Sequence, residues 1–179
     1  MYRDKTLIPT EAIRLCGLGI LAAGPKLYAE LASEVRNFAS RIMGPSLDVL
    51  GPSLDLLRLE GLIEADPVAA ERGNPKLRIT KQGLEALNDL LRSNIRDPID
   101  DLNKLVIALK MRFLHLLDHE QRQAQIEALI ALFENELTRL RDLRGQPAGS
   151  ESYLADWLDH EIAQGESRQA FLTGYRERV

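Results

Sequence analysis

The chain of 179 residues carries 23 Lys/Arg against 27 Asp/Glu, a formal net charge of −4, with 45% hydrophobic and 28% charged residues. This excludes a disordered chain, which lacks the apolar surface to offset its conformational entropy, and the length suits one domain with an appendage or two small ones. No stretch approaches the roughly 20 apolar residues of a membrane span, Met1–Lys5 does not read as a signal peptide, and one cysteine, Cys16, permits no internal disulfide, so a soluble, cytoplasmic protein in a reducing compartment is expected.

In chain order, Thr10 reads as the N-cap of a first helix, with Ile13, Cys16, Gly17, Ile20 and Leu21 at helical spacing. Cys16 among Leu15, Leu18 and Ile20 reads as a buried apolar side chain. Gly24-Pro25 stops the helix. A second helix runs from about Leu27 to Ile42 with Leu27, Leu31, Val35 and Phe38 on one face, and Gly44-Pro45 ends it. Ser46 caps a third, whose stripe is Leu47, Leu50, Leu54 and Leu57. Gly44-Pro45-Ser46-Leu47-Asp48 recurs as Gly51-Pro52-Ser53-Leu54-Asp55, a local similarity of two helical turns rather than a repeat architecture.

Residues 62–65 and 76–80 read as two short strands around a polar loop, a two-stranded wing. Thr80 caps a fourth helix carrying Leu84, Leu87, Leu90 and Leu91. Three helices, a wing and a helix make a winged helix-turn-helix. Asp97-Pro98 breaks the chain, so the expected domains are residues 1–96 and residues 97–179. The first holds 13 Lys/Arg and 12 Asp/Glu, the second 10 and 15, a balance that neither argues for a DNA partner nor against one.

Beyond the break, Leu102, Leu105, Val106, Leu109, Phe113, Leu116 and Leu117 form an amphipathic stripe. Asp118 with Gln121 resembles a capping box for a helix over about residues 119–144. On it Ile126, Ile130, Phe133, Leu137 and Leu140 alternate spacings of four and three, a heptad seam. So long a helix, with few partners left in the chain, is expected to need a second subunit to cover it. Residues 145–150 form a loop, and Tyr153, Leu154, Trp157, Leu158 and Ile162 mark a further helix face. The overall expectation is a mainly α protein: a winged helix-turn-helix domain, then a helical dimerisation domain.

Four stretches carry a resemblance to the PadR family of bacterial transcriptional regulators. Residues 18–25 with Glu30-Leu31 look like that family's first helix and entry into its second. Pro52, Leu54, Leu57 and Gly61-Leu62-Ile63 look like its third helix, and Gly73, Pro75, Arg78-Ile79-Thr80 and Gly83 are similar to its wing. Residues 154–158 are similar to its last helical region. The resemblance implies a DNA-binding, homodimeric regulator, a repressor answering a small-molecule effector. Departures fall at contact positions: Gly51 stands where the family has tyrosine, Asp55 and Leu56 where basic residues are usual, Asn74 where an arginine is expected, and the aromatic expected near Glu30 is displaced to Tyr28.

The candidate DNA contacts are Ser46, Ser53 and Arg58 on the third helix, where short polar and basic groups can meet groove edges, with Lys26, Arg72, Lys76 and Arg78 positioned for phosphates. The plainer reading is caps and solvated surface, with Arg58 paired to Asp55. Leu56 and Leu59 widen the apolar surface of the third helix, which suggests further burial or a partner site. The candidate dimer contacts are Leu102, Val106, Leu109, Phe113, Ile126, Ile130, Phe133, Leu137, Leu140 and Trp157. At Trp157 the resemblance also implies a planar effector stacked in a dimer pocket. His115 and His119 stand four apart, but a cap at Asp118 would place them on different helices, so no metal or cofactor is expected. No phosphate loop or catalytic triad is present, and an enzyme is not expected. The alternative is a winged-helix module that has lost DNA contacts and binds a protein through its third helix.

Overall fold

The computed structural model describes residues 9–43, 50–66, 76–95, 101–145 and 153–178. Ser46, Arg72 and most of the expected wing and interhelix loops lie outside them, as do the side chains of Ser53 and Leu102. The elements are α1 (Pro9–Ala22), β1 (Lys26–Leu27), α2 (Tyr28–Met43), α3 (Leu50–Leu59), β2 (Ile63–Ala65), β3 (Lys76–Ile79), α4 (Lys81–Arg92), α5 (Asp101–Phe113), a 3-10 turn (Leu114–Leu116), α6 (His119–Arg144) and α7 (Leu154–Arg176). Among the described residues, no helix is long and apolar enough to cross a membrane.

The chain divides into two compact units, residues 1–117 and residues 118–179. This boundary lies beyond the Asp97-Pro98 break, because α5 packs on α1 and α2. A chain-breaking Asp-Pro ends a helix but does not decide which core the next helix joins.

α1 is the centre of the first unit. Ala12, Ile13, Leu15, Cys16, Leu18, Ile20 and Leu21 are all buried, the all-round burial of a core helix. It packs on α2, α3, α4, α5 and β3. Gly19 lets α5 approach: a Cβ there would lie 2.6 Å from the Phe113 ring. The expected N-cap at Thr10 is one residue inside the helix, which starts at Pro9, a first-turn position that proline suits.

The wing sheet has three strands, not two, in the order β1-β3-β2, all antiparallel. In sequence Lys26 and Leu27 read only as the approach to α2, because a two-residue strand leaves no periodicity to detect. Once Gly24-Pro25 breaks α1, these residues run extended beside β3. The Leu27 N–H then donates to the Glu30 carboxylate at 3.1 Å, the backward half of a capping box.

α3 ends in a Schellman turn: Leu62 N–H bonds the Leu57 carbonyl (2.9 Å) and Gly61 N–H that of Arg58 (3.1 Å), with Gly61 at φ +72°. That left-handed conformation suits glycine. Thr80 caps α4 as expected, accepting from Gly83 N–H at 3.0 Å. The inner face of α4 is Gly83, Leu87 and Leu91, while Leu84 is exposed.

In the second unit Asp118 accepts from Gln121 N–H at 2.8 Å and α6 runs 26 residues, about 39 Å at ~1.5 Å per residue. α7 returns antiparallel along it. Glu127 pairs with Arg176, Glu134 with Gln169 and Arg144 with Asp159, so partner numbers fall along α7 as they rise along α6. Gly165 permits the close approach, since a Cβ there would meet Leu137 Cδ2 at 2.8 Å.

The residues expected to form a seam between subunits are covered by their own chain instead. Ile126, Ile130, Phe133 and Leu137 are buried within a single chain, and Leu140 is half-buried. The heptad-like spacing records packing on a helix of the same chain, which a 3.5-residue period cannot distinguish from packing on a second subunit. Val106, Leu109 and Phe113 are likewise buried in the first unit.

Candidate nucleic-acid interface

α3 is two-faced because its leucines are. Leu54 and Leu57 are buried where α3 packs on α1, as their spacing predicts. Asp55, Leu56, Arg58, Leu59 and Glu60 lie on the exposed side. Glu60 is ion-paired with Arg14 of α1, which fixes the C-terminal end of α3. Arg58 does not pair with Asp55: no ion pair of Arg58 occurs among the described residues. Asp55 lies instead against the Tyr28 phenol, whose pKa is raised by partial burial and by its hydrogen bond to that carboxylate. Leu56 and Leu59 are uncovered among the described residues, Leu59 at 82% exposure. The expected further burial of these two leucines is therefore absent there.

The sheet sorts the candidate phosphate contacts. Leu77 is buried, so Lys76 and Arg78, its neighbours on β3, point to the opposite face. Arg78 stands directly opposite Glu64 in the β2–β3 register and donates to it at 2.6 and 2.9 Å. That cross-strand pair leaves Arg78 partly neutralised. Lys76 faces Leu27 across the other edge and is half-buried. Lys26 is opposite Leu77, on the helix-facing side of the sheet, where its Nζ lies 3.1 Å from Glu34.

Glu34 is a junction that nothing in the sequence announces. Its other oxygen accepts from Arg112 of α5 at 2.6 Å, and the Arg112 guanidinium lies over the rings of Phe38 (4.7 Å) and Phe113 (5.1 Å). Partial burial alone would raise the Glu34 carboxyl, but hydrogen bonds from Lys26 and Arg112 and their charges outweigh it and hold the pKa below the usual value. No local signal links positions 34 and 112, which are 78 residues apart. Lys110, on the same helix, is also buried; its ammonium donates to the Leu91 and Ser93 carbonyls at the end of α4.

Cys16 behaves as an apolar core side chain, and burial pushes its thiol up to about 12. His115 lies in the 3-10 turn and His119 opens α6 behind the Asp118 cap, so the two do not share a helix face.

A family model described as "Putative AphA-like transcriptional regulator" matches residues 2–176. The chain belongs to this family. The chain is also similar to the crystal structure of Bacillus subtilis PadR in complex with operator DNA, at 16% identity over 96% of this chain and 100% of that chain, TM-score 0.39. A second similar structure is Bacillus subtilis PadR in complex with p-coumaric acid, at 16% identity over 96% and 97%, TM-score 0.37. No curated protein matches.

Proposed function

We propose that this AphA-like protein is a cytoplasmic, homodimeric, sequence-specific double-stranded-DNA-binding repressor whose third helix enters the major groove and whose wing holds flanking phosphates. The observation that carries this is the exposed outer side of α3, with Arg58 on it, followed at once by a sheet whose outer face bears Lys76 and Arg78. Two such heads would meet successive grooves about 34 Å apart. The second unit supplies exposed aromatic surface for the subunit contact: Tyr153, Trp157 and Phe171, Trp157 at 52% exposure. A planar effector stacked on Trp157 would act by changing the angle between heads.

Titration onto labelled duplex across a salt series tests this. Lys76→Ala with Arg78→Ala lowers affinity for all sequences alike and reduces the salt slope by about 0.9 for each phosphate no longer neutralised. An unchanged slope removes the wing from the interface.

A second reading has its own observation. Leu56 and Leu59 are exposed beside Asp55 on α3, which suits a protein groove better than a phosphate backbone. Leu56→Arg distinguishes the two, being neutral or helpful for DNA and disruptive for a protein partner.

A further inference from the structure

Lys26, Glu34 and Arg112 join three elements through one carboxylate. Lys26 is on β1, Glu34 on α2 and Arg112 on α5. Each cation uses a different oxygen of Glu34, Lys26 the Oε2 and Arg112 the Oε1. Arg112 is the more rigidly held of the two cations, lying over both Phe38 and Phe113, and Phe113 is seated in the notch at Gly19. The position of Arg112 therefore follows the position of α5. Lys26 is different: its side chain is 36% exposed and can exchange Glu34 for another anion.

We propose that Glu34 is an electrostatic relay, by which the seating of α5 sets how firmly Lys26 is held away from an external phosphate. With Arg112 in place the three groups carry one net positive charge, and Lys26 shares Glu34 with a competitor. If α5 shifts and withdraws Arg112, the carboxylate retains Lys26 alone among the described residues. The net charge of the cluster then falls to zero, and Lys26 is bound more tightly within the head. The chain leaves the first unit just after α5, through the turn at residues 114–116, so α5 is the element on which a displacement transmitted along the backbone arrives first. The consequence for phosphate rests on the DNA-binding reading above; the coupling of Arg112 to Lys26 does not.

The test combines two readouts on the full chain. Isotopic acetylation of surface lysines, read by mass spectrometry, reports how freely Lys26 leaves Glu34. Labelling of Lys26 is expected to slow about two- to fivefold in Arg112→Ala and to quicken by a similar factor in Glu34→Gln, the range of a partly exposed charge pair. Arg112→Lys, which keeps the charge, is expected to restore most of the wild-type rate. On duplex DNA, Arg112→Ala weakens binding, Glu34→Gln strengthens it with a steeper salt slope, and the double variant behaves as Glu34→Gln. A structural defect alone would not be reversed by removing Glu34. Lys26 labelling that ignores Arg112→Ala overturns the relay. Labelling that responds while DNA affinity does not overturns its reach to the phosphate. Labelling that responds in a protein that binds no duplex supports the coupling and overturns only the DNA-binding reading.

Discussion

Lys110 Nζ donates to the Ser93 carbonyl oxygen at 2.6 Å. The lysine is only 1% exposed and also caps the Leu91 carbonyl. A cation at the C-terminal end of α4 complements its dipole and satisfies carbonyls that have no partner within the helix. The same burial lowers the Lys110 pKa to about 7.

That shift gives the pH dependence a definite sign. An unfolded lysine titrates near pH ~10.4. Below about 7 both states hold the proton, and the burial cost of the cation is fully present. Between about 7 and ~10.4 the unfolded state binds more protons, so stability rises with pH through that window. Wild type should therefore gain stability relative to Lys110→Met as pH increases from about 7 to about 10, on the order of a few kcal/mol at most. Parallel pH profiles from thermal melts would argue against this role.

Gly19 offers a sharper packing test. Because its missing Cβ would overlap the Phe113 ring, Gly19→Ala should cost about 1–3 kcal/mol by overpacking. Combining it with Phe113→Leu should recover part of that loss, as coupled neighbours do. Additive losses in urea melts would show that the two positions do not touch.

The second unit separates burial from association. Phe133→Glu places a charge in a buried site and should unfold the α6–α7 hairpin, seen as lost helicity by circular dichroism. Trp157→Glu, at an exposed position, should leave helicity unchanged yet yield monomers by sedimentation. A dimer that survives Trp157→Glu places the subunit contact elsewhere.

Much of the fold was legible because local chemistry announces it. The caps at Thr80 and Asp118 bind the N–H groups three residues on, the break at Gly24 has positive φ, and α6 spans the residues its cap and stripe imply. The failures have separate physical causes. Apolar periodicity shows that a face is covered but not by what, so Ile126, Ile130, Phe133 and Leu137 read as a subunit seam when the chain itself buries them. Strand β1 is too short to carry a pattern, and the Lys26–Glu34–Arg112 cluster depends on groups far apart in sequence. For the candidate site, residue types are readable in the sequence but pairing is not: Arg78 and Lys26 read there as available cations, and each has a carboxylate partner.

Sequence-specific recognition of DNA is decided by selecting genomic fragments on the purified protein and sequencing those retained. A dimeric winged-helix repressor should enrich a shared two-fold-symmetric motif whose half-sites lie about one helical turn apart, centre to centre. Retention of fragments without a common motif, or no retention at moderate salt, would be incompatible with that function.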